Sequence, residues 1–198
     1  MGRRAGVTAE QTRSELLSAA ARVFALKGYD GASIADICAE AGLSTGPVYA
    51  HYGSKAELFV AVLQAHGHRQ YRRLLGDEAG GDVAEYLTIG GSAFDRRRPG
   101  QAALVIEAIV AAKRDPEVAE LVSSWLRGGE KRLADSIEEA QNGGTLDDTF
   151  RPDTIARLAT MLGLGSFLTA VLDVREVDHD DWTRLVARLV DSVRAGDR

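Results

Sequence analysis

The chain has 198 residues, of which 45% are hydrophobic and 27% charged, an ordinary globular composition long enough to bury a core or to divide into a small and a larger unit. Cys38 is the only cysteine, which excludes an intrachain disulfide and suits a reducing cytoplasm; no run of 18 apolar residues is present, so no membrane span is expected. The formal net charge of −5 argues against a nucleic-acid partner only until its placement is considered: residues 1–60 hold six basic and six acidic groups, and the remaining 138 residues hold 18 basic and 23 acidic ones.

Plentiful alanine, leucine, valine, arginine and glutamate, with 6% aromatics and only 4 prolines, predict an all-α protein. The opening MGRRAGVTAEQ lacks the apolar segment of a signal peptide and reads as a flexible basic arm over residues 1–8. Helix one is predicted over about 9–27, capped by Thr8 with Gln11, and buries Leu16, Leu17, Ala20, Ala21 and Phe24 before Gly28 ends it. Helix two is predicted over 34–41. Ser33 and Asp36 form its capping box, Ile34, Ile37 and Cys38 face inward, and Gly42 is its left-handed closing residue.

Helix three is predicted over 45–51 with Ser44 as cap, Pro47 early enough to break no internal hydrogen bond, and Val48 and Tyr52 directed to the core. Ser54 and Glu57 make a further capping box that opens helix four, about 55–75. Residues 33–55, SIADICAEAGLSTGPVYAHYGSK, therefore read as two short helices joined by a tight turn, with a third helix directly after them. Such a unit places one helix in the major groove of DNA.

Helix five is predicted over about 83–95 and helix six over 101–112, nearly apolar except for Glu107. Asp115 and Pro116 begin helix seven, which reaches about 140 with a loosening or kink at Gly128–Gly129; NGGTLDDTFRP, 142–152, is a loop. Helices eight (about 153–172) and nine (about 181–194) are apolar. They carry Leu158, Leu162, Gly165, Leu168 and Leu172, then Trp182, Leu185, Val186, Leu189 and Val193. Either these residues cover the chain's own core, or two copies join the two helices into a four-helix bundle. About nine helices result: an arm (1–8), a helix-turn-helix domain (9–54) and a further helical domain (55–198), which the family resemblance of residues 10–60 makes a ligand-binding and dimerisation domain.

The segments FALKGYDGASIADI and AGLSTGPVYAHYGSKAELF, through Gly42, Leu43, Ser44, Tyr49, Tyr52, Lys55, Glu57 and Leu58, make residues 10–60 resemble the TetR family of bacterial transcriptional regulators. Tyr52 stands where phenylalanine is more usual, and Pro47 and Ala50 are less typical. The resemblance implies that helix three enters the major groove, with Thr45, Gly46, Pro47, Tyr49 and Ala50 exposed to DNA. None of these is arginine, asparagine or glutamine, so bidentate base readout is absent and shape readout supplements it. By the same resemblance Tyr49, His51 and Lys55 contact phosphate, with Ser33 and Ser44 as further candidates. Arg3 and Arg4 either reach the minor groove or form a solvated tail.

The family also implies a homodimer through the two C-terminal helices, an approximately palindromic operator, a small, largely apolar effector, cytoplasmic location, and no metal or cofactor. Candidate effector contacts are Phe94, Val105, Glu107, Ile109, Leu121, Trp125, Met161 and Phe167, each of which is equally readable as core. Effector binding would shift the heads away from the spacing of two half-sites. Two alternatives stand beside this repressor reading: a DNA-binding regulator with no small effector or with a protein partner, and a helical enzyme. Against the enzyme, His66 and His68 do not share a helix face, Asp178, Asp180 and Asp181 lack calcium-loop spacing, and Cys38 lies on the inner side of its helix.

Overall fold

A computed structural model describes residues 9–75, 83–93, 99–172, 174 and 177–195. Among them the chain is all-α, with nine helices: α1 (Ala9–Gly31), α2 (Ile34–Ala41), α3 (Thr45–His51), α4 (Lys55–Leu75), α5 (Val83–Ser92), α6 (Pro99–Ala112), α7 (Pro116–Asn142), α8 (Pro152–Val171) and α9 (His179–Asp191). Arg3, Arg4, Thr8 and Phe94 lie outside the described residues, as does the side chain of Pro47.

The chain divides into two compact units. One, the head unit, takes the chain up to Gly67 together with Leu104–Val122; the other takes His68–Ala103 and Ser123–Arg198. The end of α6 and the first turns of α7 thus belong to the same unit as the helix-turn-helix.

In the head unit the helical spacing of apolar residues places Leu16, Leu17, Ala20, Val23 and Phe24 of α1, Ile37 and Cys38 of α2, Val48 of α3 and Leu58, Phe59, Val62 and Leu63 of α4 in the interior. Phe24, Phe59 and Tyr29 form an aromatic cluster, with ring centres 4.7 Å apart for the phenylalanine pair and 5.1 Å for Tyr29 and Phe59. Two ion pairs pin α2 to α1, Arg22–Glu40 at 2.8 Å and Lys27–Asp36 at 2.7 Å.

Helix boundaries follow local chemistry. Gly28 interrupts α1 with φ 70°, ψ 173°, so the predicted stop is a kink and three further residues continue to Gly31. The Ser33–Asp36 box is reciprocal: the Ser33 hydroxyl accepts from the Asp36 amide, and the Asp36 carboxylate accepts from the Ser33 amide. Gly42 closes α2 in the left-handed region. Ser44 corrects the expectation. It occupies the N-cap of α3, but its side chain makes no capping bond. Pro47 at the third helical position removes one of the two amides that an N-cap oxygen can accept from, and the other, Gly46 at the second position, is not used.

Glu57 also departs from a simple box. Its amide donates to Ser54 Oγ at 3.0 Å, while its carboxylate accepts from Gly53, one residue before the cap. The expected kink in α7 is absent, for Gly128 and Gly129 lie inside one continuous helix. The last helix begins two residues earlier than its spacing suggested, because Asp178 caps it through the Asp181 amide at 2.8 Å.

The second unit closes around Val83 and Ala84 of α5, Ile137 of α7, Leu146 of the following loop, Ala156 of α8, and Val186 and Val190 of α9. Gly91 admits the close approach of α9: a Cβ there would lie 2.7 Å from Val186 Cγ1, and its carbonyl accepts from the Trp182 indole at 2.9 Å. The sequence contains no run of 18 apolar residues, yet α8 is long and apolar enough to cross a membrane by length and composition alone. Much of its apolar surface faces outward as a stripe at three- and four-residue spacing, Leu158, Met161, Leu162, Leu168 and Leu172.

Candidate nucleic-acid interface

Recognition by a short helix requires one face locked to the protein and the opposite face free. In α3, Val48 is 1% exposed and the adjoining Tyr52 is buried, whereas Thr45, Gly46, Tyr49, Ala50 and His51 are exposed, Tyr49 at 58%. Tyr52 is tied to α1 through its hydroxyl, which accepts from Arg13 Nε at 3.2 Å. The outward set contains no lysine, arginine or carboxylate, so α3 presents a methyl group at Ala50 and hydroxyl groups at Thr45 and Tyr49.

Cys38, on the inner side of α2, donates from Sγ to the Ser44 carbonyl at 3.6 Å, and burial pushes its thiol pKa up. It holds the turn before α3, where a thiol kept protonated is a poor nucleophile. Asp36 is held down at about 2, first by its bond with Lys27 and then by Ser33, so it is an anion throughout the physiological range. Ser33 is exposed but committed to that box.

Lys55 is engaged within the chain. Its ammonium donates to the Tyr29 carbonyl at 2.8 Å and the Ala32 carbonyl at 3.1 Å, and lies 4.3 Å from the Tyr29 ring centre. Glu107, a candidate pocket charge, accepts the Tyr29 amide proton at 2.6 Å. The Tyr29 hydroxyl donates to Asp115 at 2.9 Å; burial and that partner raise the phenol pKa, and the same bond lowers that of Asp115. Ser54 donates to Glu117, and Arg114 pairs with Asp30 at 3.0 Å. These partners of Tyr29 lie 78 and 86 residues away in the chain, and no local sequence signal points to them.

Residues 16–62 match the model of bacterial regulatory proteins of the tetR family. Over that segment the chain carries the tetR-type helix-turn-helix. It is a helix-turn-helix transcriptional regulator, and proteins of this kind are not enzymes. The HTH-type transcriptional regulator UidR of Escherichia coli K12 is 27% identical over 157 residues, 79% of this chain and 80% of UidR. Salmonella enterica GusR has the same fold, with 24% identity, a TM-score of 0.72 and coverage of 91% of this chain and 94% of GusR. A Saccharomonospora viridis protein solved in complex with choline also shares the fold, at 18% identity and TM-score 0.66, covering 95% and 100% of the two chains.

The tetR-type effector candidates do not fall in one unit. Val105, Glu107, Ile109 and Leu121 belong to the head unit; Trp125, Met161 and Phe167 belong to the other. Val105, Leu121, Trp125 and Phe167 are half-buried, Ile109 is exposed, and Met161, 62% exposed, lies on the outer stripe of α8 rather than inside. The dimerisation candidates also divide. Leu158, Leu162, Leu168 and Leu172 of α8 and Leu185 and Leu189 of α9 are exposed, as is Gly165. Val186 is buried, and Trp182 and Val193 pack against the same core, so these three serve the chain's own interior.

Proposed function

We propose that the protein is a homodimeric cytoplasmic repressor that holds an approximately palindromic operator and releases it when a small, largely apolar effector binds. The observation that carries the DNA contact is the outward face of α3, with Thr45, Gly46, Tyr49, Ala50 and His51 free beside a core-locked Val48 and Tyr52. Tyr49 and His51 are the phosphate donors of this reading, and Thr45 and Ala50 face base edges.

The stripe Leu158–Leu162–Gly165–Leu168–Leu172, with Leu185 and Leu189, supports pairing through α8 and α9 in a four-helix bundle. A two-fold dimer presents two recognition helices to half-sites one helical turn or a multiple apart. Effector binding then favours head separations that no longer match them. Family members bind small molecules, and a fold neighbour was solved with choline. Trp125 and Phe167 are the retained candidates for effector contact in the second unit, and Val105 and Leu121 in the head unit.

The test is titration of a protein–operator complex with a panel of small apolar compounds. Release by one compound at constant salt supports effector control. A complex that resists the whole panel and yields only to another protein replaces the effector with a protein partner.

A further inference from the structure

Helix α1 carries three basic residues, Arg13, Arg22 and Lys27, and two of them are neutralised by α2. Arg22 pairs with Glu40 at 2.8 Å and Lys27 with Asp36 at 2.7 Å. Arg13, exposed in the second turn, forms no ion pair with any described residue, Glu10 on the same side of the helix included. Its bond goes to a neutral group: Nε donates to the Tyr52 hydroxyl at 3.2 Å. A phenol oxygen fixes the guanidinium without cancelling its charge. With Nε engaged, Nη1 and Nη2 remain as a planar pair of donors, the geometry that fits two oxygens of one phosphate.

The place of this charge gives it a task. Tyr52 ends α3: its side chain is buried, its amide donates to the Val48 carbonyl, and its ring centre lies 6.4 Å from that of His51. The Arg13 guanidinium and the His51 imidazole are thus neighbours of one phenol at the C-terminal end of the recognition helix. The outward face of α3 holds no lysine or arginine, so permanent positive charge there comes from flanking elements. Lys55 follows α3 in the chain, and Arg13 reaches it from α1. A phenylalanine at position 52 would fill the same core space and offer Nε no acceptor.

We propose that Arg13 is a DNA ligand that donates from Nη1 and Nη2 to a backbone phosphate beside the one met by His51, and that Tyr52 is the positioning residue that aims it. The proposal rests on the DNA-binding reading and adds to it a contact from a helix outside the α2–α3 pair.

The experiment is a salt titration of the full-length protein on a DNA fragment enriched from genomic DNA. Each neutralised phosphate contributes about 0.9 to the slope of log affinity against log salt, so a bound dimer that loses one contact per protomer loses about 1.8. Arg13→Gln is expected to show that smaller slope and to bind at least about tenfold more weakly at low salt. Arg13→Met removes the same charge and guards against a glutamine variant that fails to fold. Arg13→Lys keeps the charge without the planar fork, so it retains the slope and binds with intermediate affinity.

Tyr52→Phe keeps the ring in the core and the charge on Arg13 but frees the guanidinium. It is expected to retain the slope and to bind about threefold more weakly, the loss of one aiming hydrogen bond. The Arg13→Gln/Tyr52→Phe double variant is no worse than Arg13→Gln alone, because the hydroxyl acts only through the arginine. Charge-deleting variants with the wild-type slope would show that Arg13 only braces the head, and they overturn the proposal. A Tyr52→Phe protein that binds like wild type, or whose loss adds in full to that of Arg13→Gln, overturns the positioning role. A wild-type protein that enriches no fragment overturns the DNA-binding reading itself, a result distinct from any of these.

Discussion

Gly28 answers to two constraints at once. Its φ of 70° lies in the region that side chains avoid, and a Cβ would stand 3.0 Å from the Glu107 carboxylate. Gly28→Ala is expected to destabilise the protein by about 1–2 kcal/mol, measured as the loss of free energy in urea unfolding. The glycine could be read in the sequence as the end of a helix. The partner that crowds it could not, because a lone carboxylate on an apolar helix says that something must satisfy it, not which group 78 residues away does so.

Asp36 gives a pH signature. Its folded pKa of about 2 lies below its ordinary 3.8, so the unfolded chain binds the proton more readily. The stabilisation is complete above about pH 4 and drains away as the pH falls toward 2. Wild-type protein should lose stability through that window, and Asp36→Asn should lack this component of the loss, in urea unfolding followed at a series of acid pH values.

At the scale of the element, the first four helices were readable because each boundary has a local chemical cause. Ser33 and Gly42 act as their residue types dictate. Ser44 shows where composition misleads: a serine in the cap position makes no capping bond here, with proline at one of the two positions whose amides it could accept from. Ser33→Ala should cost about 1 kcal/mol and Ser44→Ala only a few tenths, compared by thermal unfolding of the two variants. The glycine pair in α7 was read as a weak point, but propensity is a small term beside the packing of a 27-residue helix.

For the whole molecule, periodicity identifies apolar helices but not what they cover. Along α9 the same pattern sends Trp182, Val186 and Val190 into the chain's own core and leaves Leu185 and Leu189 outside. Along α8, Leu158, Leu162, Leu168 and Leu172 are all exposed. In the proposed dimer a second copy covers this stripe. Leu168→Glu is expected to convert the dimer to monomer in sedimentation while leaving the fold intact, and to weaken binding to a two-half-site fragment at least about tenfold. The division of effector candidates between two compact units was likewise hidden, since sequence order gives no sign that Leu104–Val122 joins the head.

The most direct measurement is selection of genomic fragments by the purified full-length protein, followed by footprinting and determination of protomers per fragment. The account predicts an enriched inverted repeat, protected over two half-sites whose centres lie one or more helical turns apart, with an even number of protomers bound. Enrichment of no sequence, or of an asymmetric site occupied by a single protomer, would contradict it.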